Sequence, residues 1–139
     1  MHLSRLELLS PLWDDCKEVL PNSFEGWEII PGYIEQTHVA TAILKGNEIH
    51  FGIKPEYRKK LIQRKRTREY LRPLLERKSF LTTRVVLKDL VKQKFVERLG
   101  FKPTWSDELF QYFILTKLPF ERERNANKVF TQTTTEPTR

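Results

Sequence analysis

Glu48-Ile49-His50-Phe51-Gly52-Ile53-Lys54-Pro55-Glu56-Tyr57-Arg58 is the stretch that decides the fold. A short, mostly apolar run ends at a proline-led turn, a highly charged helical stretch follows, and Phe80 to Leu87 supplies a second apolar strand. Lys88 to Leu99 then reads as another helix, stopped by Gly100. Strand, helix and strand in that order predict a crossover unit and an α/β (α+β) fold with a mixed sheet. A turn that cradles an anion usually needs glycine, because only glycine lets backbone amides close on a phosphate. Here the turn reads Arg58-Lys59-Lys60-Leu61-Ile62-Gln63. The stretch supports a fold better than it supports an activity.

Working outward, Leu12, Trp13, Cys16, Val19 and Leu20 recur at helical spacing and predict a short amphipathic helix over residues 11–20. Ser10 serves as its cap and Pro11 as its first position. Gly26 to Ile34 reads as a short strand and a turn, broken at Pro31-Gly32. His38 to Leu44 and Glu48 to Ile53 flank Lys45-Gly46-Asn47, a three-residue hairpin loop. The first of these strands is apolar on both faces and is expected at the centre of the sheet. Pro73 should kink or restart a helix running from about Leu61 to Lys78. Trp105-Ser106-Asp107 reads as a turn before a final strand, Leu109 to Leu118. From Pro119 the composition becomes polar, so residues 1–118 are expected to form one domain and 119–139 an extended or disordered tail.

The 139 residues suffice for one core. One cysteine, Cys16, excludes an internal disulfide framework, and its place on an apolar stripe marks it as core rather than nucleophile. Three scattered histidines form no metal motif. Neither a signal peptide nor an apolar run approaching the ~20 residues of a membrane span is visible, so a soluble, non-secreted domain is expected. Charge is concentrated. Residues 54–78 hold eleven Lys or Arg and three Glu, a balance of +8 in a chain of net +7. Such a patch points to an anionic partner, or to a solvated helix face.

Two motifs resemble the GCN5-related N-acetyltransferase (GNAT) family. Pro55-Glu56-Tyr57-Arg58 looks like the opening of that family's cofactor motif. Phe95-Val96-Glu97-Arg98-Leu99-Gly100-Phe101 looks like its later phenylalanine-tyrosine-glutamate-lysine-leucine-glycine-phenylalanine signature. The resemblance implies a mixed central sheet flanked by helices. It also places Arg58, Lys59, Lys60, Leu61, Ile62 and Gln63 against the phosphates of acetyl-CoA. Departures fall on functional positions. Leu61 and Gln63 stand where the family has glycines, Val96 where it often has the tyrosine that protonates the thiolate, and Asp89 where it often has asparagine.

The chain is also similar to the small GNAT-like internal virion proteins of short-tailed bacteriophages, through the ending Leu109-Phe110-Gln111-Tyr112-Phe113-Ile114-Leu115-Thr116-Lys117. That similarity implies an assembly protein of a virion or host cytoplasm. It would bind other virion proteins through residues 119–139 and need no cofactor or catalytic residue. The alternative is an acetyl-CoA-dependent N-acyltransferase with Glu48 or His50 as base, since the family often places one on this strand and the two share a face. A third reading is nucleic-acid association through Arg58, Lys59, Lys60, Arg64, Lys65, Arg66 and Arg68, a cluster poor in the aromatics that stack on bases.

Overall fold

The computed structural model describes residues 3–58 and 64–118 and, of residues 64, 65, 67 and 68, the backbone only. The tail and the turn residues Lys59 to Gln63 lie outside the described residues. Helices α1 (Arg5–Cys16), α2 (Arg64–Lys78) and α3 (Leu90–Arg98) accompany six strands: β1 (Glu28–Ile34), β2 (Thr37–Lys45), β3 (Glu48–Ile53), β4 (Leu81–Val86), β5 (Lys102–Ser106) and β6 (Phe110–Leu115). The strands form one mixed sheet in the order β1-β2-β3-β4-β6-β5, in which β3 and β4 are the parallel pair. This is the expected α/β architecture.

α1 begins six residues earlier than the sequence reading placed its first turn. The start is a capping box: Ser4 Oγ accepts from Glu7 N at 3.1 Å and Glu7 Oε1 accepts from Ser4 N at 2.9 Å. Pro11 therefore lies inside the helix, where it cannot donate to the Glu7 carbonyl. Ser10 Oγ donates to that carbonyl instead, at 3.2 Å. Leu9 and Leu12 bury against Ile43 of β2, with Leu20, Phe24 and Trp27 around them. Burying each leucine is worth about 2 kcal/mol. Thr41 of β2 is buried under the same helix and donates to the Leu8 carbonyl at 2.5 Å.

Other elements depart from expectation for local reasons. β1 runs unbroken through Pro31-Gly32, because an edge strand has no outer neighbour to which proline must donate, and the register shifts only after Gly32. The hairpin loop is two residues, Gly46-Asn47, since Lys45 pairs with Glu48; Gly46 takes φ +63° at the first loop position, as a glycine-led tight hairpin requires. Trp105 and Ser106 belong to β5 rather than to a turn. That strand is exposed throughout, so no alternation marks it, and Asp107 makes the turn by accepting from Leu109 N and Phe110 N. α3 is capped by Asp89, which accepts from Lys92 N at 3.0 Å.

The second face of the sheet carries the larger core. Ile49, Phe51, Ile53, Leu81 and Val85 pack there under Leu71 and Leu74 of α2 and Val96 of α3. β2 is buried along seven successive residues, as a central strand covered on both sides must be.

The closest approach is between α1 and β3. A Cβ on Gly52 would lie 1.9 Å from the Pro11 carbonyl oxygen, so Gly52 alone permits helix and strand to meet there. Gly52→Ala is expected to lower stability by about 3 kcal/mol or more, read as the urea midpoint of unfolding. A wild-type midpoint would contradict this packing.

Candidate active site

β3 and β4 are neighbours that separate almost at once. Their register holds one pair, Glu48 with Thr82. Asn47 fastens that end. Its carbonyl accepts from Thr82 N at 2.7 Å, and its Nδ2 donates to the carbonyls of Lys78 and Phe80 at 3.1 and 2.8 Å. Lys54 N donates to Val39 of β2. Alternation then turns the main-chain groups of Phe51 and Ile53 towards β4, and those of Arg84 and Val86 towards β3. The Val86 carbonyl is taken by Asp89 N and Gln93 Nε2. Beyond Glu48 and Thr82 the ladder between Phe51 and Arg84 is unmade. The result is a slot with main-chain donors and acceptors on both walls.

Asp15, at the end of α1, spans the mouth of this slot. Its carboxylate is buried and accepts from Ile53 N at 2.7 Å, pairs with Arg58, and lies 3.7 Å from Lys92 Nζ, which also donates to the Asp15 carbonyl. Outside it, a cavity of about 560 Å³ is lined by Asp14, Arg58, Lys92, Lys94 and Arg98, within the size range of small-ligand sites. Inside, a cavity of about 30 Å³ is lined by Cys16, His50, Thr83, Phe95 and Val96. Asp15, Asp89, Lys92 and Phe95 line both.

His50 faces this inner space and is 2% exposed. Its Nε2 lies 2.6 Å from Glu48 Oε2. A carboxylate only accepts, so Nε2 donates; in the neutral imidazole the lone pair is then on Nδ1, which lies 3.5 Å from the Thr83 hydroxyl. The bond to His50 holds the Glu48 carboxyl below the usual carboxylate range against the opposing effect of burial, and the charge of Arg84 adds to it. Cys16 is different. Burial pushes its thiol up to about 12, so it is protonated and unreactive at neutral pH.

The sequence candidates fall into three groups. Glu48 and His50 form one hydrogen-bonded pair at the slot. Arg58 turns to Asp15, and Arg66 lies 3.9 Å from Glu69. Lys59, Lys60, Leu61, Ile62 and Gln63 lie outside the described residues, as do the side chains of Arg64, Lys65 and Arg68. Sequence reading missed Asp15, Lys92 and Asn47. One signal existed: Asp14-Asp15 at a helix C-terminus opposes the helix dipole, which implies cationic partners elsewhere. His38 is structural, bonded to Thr41 at 2.7 Å, and burial lowers its pKa. Among the described residues no group of three His, Cys, Asp or Glu could hold a metal, and no helix is long and apolar enough to cross a membrane.

Solved structures share this architecture. A Bacillus subtilis acetyltransferase in complex with CoA matches with TM-score 0.62 and 11% identity, over 85% of this chain and 96% of that one. The ribosomal-protein-S18-alanine N-acetyltransferase of Escherichia coli matches with TM-score 0.53 and 15% identity, over 87% and 95%. A Campylobacter jejuni N-acetyltransferase in complex with acetyl coenzyme A matches with TM-score 0.53 and 15% identity, over 81% and 77%. No protein-family model and no curated protein matches the chain. The fold is that of the GCN5-related N-acetyltransferases.

Two outcomes follow. Asp15→Ala, which strands Lys92, Arg58 and Ile53 N together, is expected to destabilise by about 3 kcal/mol, and Asp15→Asn by about 1 kcal/mol less, because an amide oxygen still accepts from Ile53 N. Equal effects in chemical denaturation would refute that role. For Glu48 the folded pKa is lowered, so its contribution is present above the ordinary carboxylate range and is lost as pH falls through the lowered value. Glu48→Gln is therefore expected to flatten the acid limb of the stability profile while reducing stability at neutral pH. An unchanged acid limb contradicts it.

Proposed function

We propose that this chain is a CoA-dependent N-acyltransferase. The observation that carries the reading is the unmade ladder between Phe51 and Arg84, with the His50–Glu48 pair at its inner end. Acetyl-CoA, when bound, supplies an acyl group activated as a thioester. The residues fit such a ligand. Phe51 and Arg84 offer main-chain groups to an amide-bearing arm, and Lys94 and Arg98 line the wide mouth as cations for its phosphates, beside the Arg58 and Lys92 that Asp15 holds.

Within the slot His50 Nδ1 takes the acceptor's proton, and Glu48 stabilises the imidazolium that results. Overall one C–N bond forms, one C–S bond breaks and one proton leaves the acceptor amine. Val96 is buried on the slot wall and donates nothing, so the same imidazole is the group placed to return a proton.

The assembly-protein reading keeps three sequence departures in its favour, Leu61, Gln63 and Val96, and the first two lie outside the described residues. A virion role and a nucleic-acid role for the basic helix rest on resemblance and charge alone, and Arg58 already faces Asp15.

Acetyl-CoA at 100 times its Kd should raise stability by about 2.7 kcal/mol, seen as a shift in Tm. His50→Gln should keep that shift and lose about 10²–10⁴ in kcat towards an amine. No shift at millimolar acetyl-CoA would overturn the proposal.

A further inference from the structure

Thr82 pairs with Glu48, so Arg84 stands level with His50 across the slot, and the register carries that line on to Tyr112 of β6. Period two puts Glu48, His50, Arg84, Phe110 and Tyr112 on one face of the sheet. α1 packs on this face over β2 and β3, and residues Lys17–Val19 reach β4. Farther out the two faces of the sheet differ. Val85, Phe113 and Leu115 are buried on one, whereas Arg84, Phe110 and Tyr112 are half-buried on the other and Trp105 is 58% exposed.

These outlying rings are fixed by one another. Trp105 stacks on Tyr112, with centroids 4.3 Å apart and planes 5° from parallel. Tyr112 Oη donates to Asp107 Oδ2 at 3.0 Å and accepts from Arg84, whose guanidinium lies over the Phe110 ring, 4.8 Å from its centroid. Gln111 Nε2 donates to the carbonyls of Trp105 and Tyr112. The polar atoms of the patch are thus bonded to one another, so contact falls to the ring faces and to Leu109, 66% exposed. Such a surface recognises apolar area rather than hydroxyl groups. The two acids at its Trp105 end, Asp107 and Glu108, disfavour a polyanion.

The space beside His50 is a second and independent observation. The inner cavity, to whose walls His50 and Arg84 both belong, is about 30 Å³, enough for a water or an amine nitrogen and no more. An acceptor that reaches His50 therefore keeps the rest of itself outside, on the open face. A small amine gains little there, because a flat surface holds only a partner large enough to cover it. Trp, Tyr and Arg are also the residue types that anchor protein interfaces.

We propose that the face formed by Trp105, Leu109, Phe110 and Tyr112 docks a polypeptide that presents one of its own amines to His50, so that the acceptor class is a protein rather than a free small amine. The inference rests on the acyltransferase reading for its reaction but not for its docking.

The test compares two probes on the full chain: a random-sequence library of short lysine-containing peptides, and L-lysinamide, which carries the same two kinds of amine without a chain. The peptides should shift the Trp105 indole N–H signal in NMR. With acetyl-CoA present they should be acetylated with a kcat/KM at least about tenfold above that of L-lysinamide at equal amine concentration. Trp105→Ala should lose most of that advantage through KM, with acetyl-CoA affinity unchanged, and Leu109→Asp should do the same without removing a ring from β5. Equal kcat/KM for the two probes, or an advantage that survives both substitutions, would overturn the proposal. So would a dimer in light scattering that Trp105→Ala dissociates, since the face would then belong to a second copy of the chain. Peptide binding at Trp105 in a protein that ignores acetyl-CoA would keep the docking surface and remove the acyltransferase reading. Acetyl-CoA binding with no response at Trp105 would do the reverse.

Discussion

One inter-strand pair, Glu48 with Thr82, is the constraint on which everything else depends. Parallel strands normally continue their ladder, because each unpaired amide left away from water has a price in free energy. Here Asn47 locks the strands together at one end, through three hydrogen bonds to Lys78, Phe80 and Thr82. The helices then hold them apart at the other. α1 presses on β3 at Gly52, while α3 packs its Val96 and Phe95 beside β4. The gap is thus a product of packing on both faces of the sheet. It turns a structural defect into a place for a ligand's own polar groups.

Asp15 shows how the chain manages that defect. It supplies a carboxylate to Ile53 N, and in doing so gathers Arg58 and Lys92 at the slot's mouth. A buried carboxylate is tolerated only when its charge and lone pairs are answered, and here two cations and one amide answer it. The same arrangement fixes cations beside the outer cavity. The clasp of the fold and the electrostatics of the site are one set of bonds.

Much of this was legible in the sequence. The crossover from Glu48 to Leu99 follows from periodicity, and Gly100, at φ +113°, ends α3 as a glycine stop should. The motifs Pro55 to Arg58 and Phe95 to Phe101 pointed to the fold that the solved structures share. The start of α1 was misread because Ser10-Pro11 carries a start signal of its own; the stronger one, Ser4 with Glu7, lies six residues earlier. β5 escaped because an exposed edge strand needs no alternation. Glu48 and His50 stood out as a same-face pair. Asp15 did not, since its partners Ile53 and Lys92 are 38 and 77 residues away and only the folded chain brings them together.

The central claim is that the main chain of β3 is unpaired at Phe51 and available to a ligand. Amide hydrogen exchange, resolved by residue, tests it most directly. The account predicts strong protection at Ile49, which faces the one paired position, and weak protection at Phe51, rising when acetyl-CoA is added. Strong protection of Phe51 in the free protein, matching Ile49 and unchanged by acetyl-CoA, would mean that the ladder is closed and the slot does not exist.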